Sequence, residues 1–166
     1  MITPAYAQTM ARYNRWQNES LYREALKLTD EARRLHRGAF FGSIHGTLNH
    51  IYWGDSMWLS RFGAAARPRS PNGTTSVDEF PNFADLAAAR TILDARIVAW
   101  ADALTTEAVA AELKWWSGLQ NKEMSKPAAL AIAHIFNHQT HHRGQVHAML
   151  TAAGAKPDDT DLIFMS

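Results

Sequence analysis

Four of the eight histidines of this chain lie between His134 and His142, in the run Asn137-His138-Gln139-Thr140-His141-His142-Arg143-Gly144-Gln145. The surrounding segment reads as helix, and no acidic residue occurs between Lys126 and Asp158. Helical residues four apart share a face, so His138 and His142 can present two imidazoles to one point. Such a pair is a bidentate claw for a borderline divalent ion such as zinc or nickel. A third ligand has to come from another element, and His50 is the candidate. Its neighbours at i−4 and i+4 are Gly46 and Gly54, and a mid-helix glycine costs about 1 kcal/mol relative to alanine. Two of them around one imidazole imply that something approaches there. Close packing of two helices would ask for the same glycines.

The absences narrow the chemistry. A zinc-protease helix carries glutamate directly after its first histidine as general base; here that position is Gln139, which cannot take a proton. Dinuclear carboxylate sites need inward glutamates, and the final helical segment has no acid. No Gly-rich phosphate loop or Gly–x–Ser–x–Gly elbow occurs. There is no cysteine, which excludes disulfides, thiolate ligands and a cysteine nucleophile. What remains is a mononuclear three-histidine site with a position open to water or substrate.

Those histidines have to be positioned by a fold. At 166 residues, 46% apolar and 20% charged, the chain fits one soluble domain spanning 1–166. Seventeen basic against sixteen acidic side chains give a net charge of +1, no electrostatic reason to expect nucleic acid or a membrane surface as partner. The start lacks a signal-peptide pattern, and the longest uncharged stretch, Gly38 to Gly54, is broken by polar residues. The expected location is cytoplasmic.

Helical apolar spacing predicts a first helix from Pro4 to Leu28 with Thr3 as cap. A second is predicted over Ser43 to Phe62, and a third from Asn82, its cap, to Leu104. A final helix is expected to start at Ser125 as cap, with Pro127 in its first turn, and to end at Ala153 before Gly154. Ala64 to Pro81 holds three prolines and reads as a long crossover loop. Glu112 to Ser125 reads as a short hairpin or an ordered loop. The tail, with Leu162-Ile163-Phe164, is expected to pack back on the helices. The predicted fold class is all-α, a four-helix bundle with a long crossover loop.

Gly46-Thr47-Leu48-Asn49-His50 with Trp53 and Trp58, the His134 to Gln145 segment, and Tyr13-Asn14-Arg15-Trp16 together resemble the signature segments of the DinB family, of the DinB/YfiT-like bundles. The resemblance implies one divalent metal ion, zinc or nickel, on His50, His138 and His142, and a homodimer. It also implies a thiol-dependent transferase or isomerase, with a small-molecule thiol and an electrophile as partners. A non-catalytic metal-binding stress-response bundle and a metal-dependent hydrolase are the alternative functions. In the transferase reading His134 and His141 are candidates to accept the thiol proton. Arg143 is a candidate either to bind an anionic substrate group or to pair with an acid such as Asp55. Gln145 is assigned to support of the helix surroundings, and Trp16, Trp53 and Met57 to pocket walls. His36, His45 and His147 carry no assigned function.

Overall fold

The structure, a computed structural model, describes residues 2–165. The chain runs through α1 (Pro4–Leu26), α2 (Asp30–Arg34), α3 (Ile44–Arg61), α4 (Phe83–Asp102), α5 (Thr106–Ala110), β1 (Glu112–Ser117), β2 (Lys122–Pro127) and α6 (Ala128–Ala152). Short 3-10 turns lie at Thr75–Asp78 and Leu162–Phe164.

Local chemistry explains the helix starts. Thr3, Ser43 and Asn82 each take an extended backbone, and their side-chain oxygens accept N–H groups of the first turn: Tyr6, Gly46, and both Ala84 and Asp85. Pro4 then occupies a first-turn position where a missing N–H costs nothing. The two short helices, capped by Thr29 and Thr105, span too few residues to show helical periodicity.

The start of α6 corrects the sequence expectation. Ser125 is not a helix cap: it lies in β2, and its hydroxyl donates to Glu112 Oε2 at 2.6 Å across the hairpin. The antiparallel register pairs Glu112 with Pro127 and Ser117 with Lys122, so the hairpin extends to Pro127 and α6 begins after it. The turn needs a left-handed residue, supplied by Asn121 at φ 50°. The tail does return to the helices, but not through its apolar triplet. It is held to α1 by Tyr13 and Gln17, which donate to the carbonyls of Thr160 and Asp159, and by Ser20, which accepts from the Asp158 N–H. Ile163 and Phe164 stay 86% and 61% exposed.

The long helices pack α1 on α4 and α6, and α3 on α6 and α4. Their buried apolar side chains form two clusters. One gathers Leu21, Ile44, Leu48, Leu86, Val146 and Leu150; the other gathers Ala11, Leu59, Ile97, Ile132, Ile135 and Phe136. Between them, at the middle of each long helix, lie buried polar residues: Asn14 and Asn18, Asp55, Arg90 and Asp94, Gln139 and Arg143. Arg90 bridges Asp55 at 2.6 Å and Asp94 at 2.9 Å, and Asn18 donates to Asp94. Two acids thus face two arginines in the interior, where unpaired charge is prohibitive. Among the described residues no helix is long and apolar enough to cross a membrane.

Candidate metal centre

His50 on α3 and His138 and His142 on α6 stand at the edge of that polar layer. Each offers one ring nitrogen, and the three nitrogens lie within 4.8 Å of one another. His50 Nε2 is 3.0 Å from His138 Nε2, close to the spacing two nitrogens adopt about 2 Å from a shared ion. The glycines beside His50 now have separate explanations. A Cβ at Gly54 would stand 2.9 Å from His138 Cε1, so this glycine admits the second imidazole. A Cβ at Gly46 would stand 2.7 Å from the Phe41 carbonyl oxygen. That glycine admits the loop whose Phe41 ring stacks on His50 at 3.7 Å between centroids.

Hydrogen bonds set which nitrogens are free. Ser76 donates its hydroxyl to the Gly73 carbonyl, so its oxygen accepts the Nδ1–H of His50 at 2.8 Å. This leaves the His50 Nε2 lone pair facing the other imidazoles. On α6, the Gln145 amide N–H lies 3.4 Å from His141 Nε2, and Gln145 Oε1 accepts the Nδ1–H of His142 at 2.8 Å. His142 therefore also turns Nε2 to the common point. A ligating imidazole is typically oriented in this way by a partner on its other nitrogen. Gln145 thus does more than support the helix surroundings.

Burial keeps these rings neutral. Desolvation first, and then the neighbouring imidazoles, push His50 and His138 down to about 3, and desolvation also lowers His142. Neutral imidazole is the form that binds a metal. The donor set, its spacing and its fixed lone pairs fit one divalent ion with at least one position left open.

The DinB family model matches residues 1–166. The chain belongs to the DinB family. Protein DinB of Bacillus subtilis (strain 168) is 26% identical over 165 residues, covering 94% of this chain and 91% of that protein. A crystal structure of a DinB-like protein from Bacillus cereus ATCC 10987 shares the fold with a TM-score of 0.55 at 20% identity. That likeness covers 87% of this chain and 90% of the other.

In this DinB-family chain Arg143 is not available to a substrate, nor is it paired with Asp55. It is 4% exposed, and its guanidinium donates to Asn14 and to Gln139 Oε1, while Asp55 is taken by Arg90. Gln139, the residue in the place of a protease glutamate, is fully buried as the acceptor of that arginine. His141 is exposed on the far side of His142. His134 is exposed, its ring tilted beside those of His138 and Trp58, with centroids 5.6 and 4.9 Å apart. His45 is buried against the Phe80 carbonyl.

A cleft of about 1160 Å³ opens beside the histidines. Its walls include Phe41, Trp53, Met57 and Trp58, together with Trp115 and Trp116 of β1. Trp16 lies elsewhere, tilted on Tyr13. Phe41 and Trp53 stack on His50, so the cleft and the imidazoles share a wall. Two further groups escape sequence reading. Ser76 sits in a loop remote from the histidines in sequence, and Trp115 is brought over the cleft only by the hairpin.

Proposed function

We propose that this chain is a metal-dependent thiol S-transferase that holds one zinc or nickel ion on His50, His138 and His142. The observation that carries the reading is the convergence of three neutral imidazoles beside a cleft large enough for a small thiol and its electrophile. The same reading takes the four long helices as a bundle of the DinB/YfiT-like kind, supported by their mutual packing. The ion would supply positive charge that removes the proton of a coordinated thiol.

The chain's own residues do the rest. Ser76 and Gln145 fix the ligand lone pairs, and Phe41 and Trp53 exclude water from one side of the site. His134, whose ring lies beside those of His138 and Trp58, is the group assigned in this reading to receive the thiol proton. The new carbon–sulfur bond forms as the leaving group departs from the electrophile with its electron pair. The open cleft favours this reading over a metal site that only stabilises the fold, and among the described residues no acid lines it to act as the base of a hydrolase.

The test supplies the zinc- or nickel-loaded protein with 1-chloro-2,4-dinitrobenzene and, in turn, glutathione, bacillithiol, mycothiol and cysteine, and follows thioether formation. At least one thiol is expected to react faster than without protein, and His138→Ala is expected to lose both this gain and most of the metal by elemental analysis. No stimulation by any thiol with metal fully loaded would end the transferase reading; undiminished metal in His138→Ala would end the ligand assignment.

A further inference from the structure

The cleft contains two cations without counter-charges. Arg61, in the last turn of α3, and Arg67, in the crossover loop, both line it. Neither makes an ion pair among the described residues, whereas Arg69, two residues further on, faces Glu79. Among the described residues no aspartate or glutamate lines the cleft.

Arg61 is half-buried, with its guanidinium over the Trp58 ring at 4.1 Å and the Trp115 ring at 5.2 Å. Arg67 reaches the Met57 sulfur at 4.0 Å. Burial and the nearby charge of Arg67 both press Arg61 toward losing its proton. Two like charges held around an acid-free apolar cleft repel each other, and an incoming anion relieves that repulsion. Arg61 could simply fasten the hairpin to α3 through its two tryptophans, but that role leaves Arg67 unexplained.

We propose that Arg61 and Arg67 form an anion subsite that binds the carboxylate of a substrate whose flat apolar body lies against Trp53, Trp58 and Trp115. The inference deepens the transferase reading and rests on it for the position of the reacting atom. Guanidinium suits this task because it can donate two parallel N–H bonds to a carboxylate while its face remains on an aromatic ring. The tryptophans would supply area and the arginines orientation, the usual division of labour in a small-molecule pocket.

The probes are 2-naphthoate and its neutral isostere 2-naphthamide, titrated by tryptophan fluorescence and calorimetry into zinc-loaded and metal-free protein. Naphthoate is expected to bind at least about tenfold tighter than the amide in both forms, as charge-assisted hydrogen bonds imply. Arg67→Gln, at an exposed loop position, is expected to shrink that preference to about threefold or less. Arg61→Gln is expected to do the same while keeping its zinc stoichiometry, and Arg61→Lys to retain part of the preference.

Equal affinities for the two probes would overturn the subsite. So would a preference that survives both glutamine variants, or one seen only with zinc, which would put the carboxylate on the metal. An arginine-dependent preference in a protein that turns over no thiol would keep the subsite and sink the transferase reading. Thiol turnover without the preference would do the reverse.

Discussion

Replacing Gly54 with alanine separates metal binding from folding. The added Cβ would stand 2.9 Å from His138 Cε1, where ordinary contacts begin at 3.4 Å, so the imidazole must withdraw by about 0.5 Å. The obstacle is the far end of a side chain rather than backbone, so the helices need not part. A metal tolerates ligand displacement of only about 0.2 Å. Disturbing the support of a ligand typically costs about 10- to 100-fold in affinity, and direct displacement of His138 should cost at least that, about 1.4 to 2.7 kcal/mol. The metal-free protein should move the other way. Alanine is preferred to glycine inside a helix by up to about 1 kcal/mol, worth about 2–4 °C in a chain of this length. The expected result is therefore weaker zinc binding, measured by competition with a chromophoric chelator, together with an unchanged or raised melting temperature after metal removal. Zinc affinity within twofold of the unsubstituted protein would refute the reasoning. A metal-free variant that melts well below the parent would show instead that Gly54 serves helix packing alone.

Three further outcomes follow from the same contacts. Ser76→Ala removes the acceptor of the His50 Nδ1–H and should weaken zinc binding about 10- to 100-fold with little change in fold; chelator competition reads it. Asn49→Ala leaves the Phe80 N–H without its acceptor and removes one donor to the Phe80 carbonyl, costing about 1–3 kcal/mol. Faster hydrogen exchange is expected at residues 74–80, and unaltered exchange there would refute the tether. The third concerns pH. His50 stays neutral in the fold down to about 3, whereas the unfolded chain protonates near its ordinary value of about 6.5. Within that window the unfolded state binds the extra proton, so metal-free stability should fall as pH drops, by up to about 1.4 kcal/mol per unit from this residue. Urea titrations between pH 4.5 and 7 should show a shallower slope for His50→Ala, and an identical slope would contradict the neutral buried ring.

How legible all this was depended on whether the signal was local. The long helices announce themselves through apolar spacing and through Thr3 and Asn82, each of which caps the helix expected of it, while Ser43, expected as the first residue of its helix, proves to be its cap. The histidines were legible as candidates because i,i+4 spacing fixes a shared face and because Gly54 keeps α3 bare where His138 approaches. The beginning of α6 was not, because Ser125 and Pro127 carry helix-start chemistry while cross-strand pairing with Lys114 and Glu112 holds them in β2. Arg143 was misread for a related reason. A guanidinium near a histidine cluster looks available, and only the tertiary arrangement reveals Asn14 and Gln139 around it. Ser76, Arg61 and Arg67 carry no motif and acquire meaning through distance alone.

The buried polar layer bears on the site more than its distance from solvent suggests. Well-packed hydrophobic residues would serve stability at least as well as Arg90, Asp55 and Asp94, so stability alone does not account for the layer. It joins all four long helices at one level: Asn14 and Asn18 from α1, Asp55 from α3, Arg90 and Asp94 from α4, and Gln139 and Arg143 from α6. Asp55 follows Gly54 directly, and Gln139 and Arg143 each follow a histidine of the cluster, His138 and His142. Apolar side chains slide past one another at modest cost, whereas hydrogen-bonded charges accept only one register. A slip of a single residue between α3 and α6 would move His50 by about 1.5 Å along its helix relative to the other imidazoles. That displacement is several times what a shared ion permits. The polar layer thus supplies the positional accuracy that three histidines on two helices require, and the glycine at 54 supplies the room.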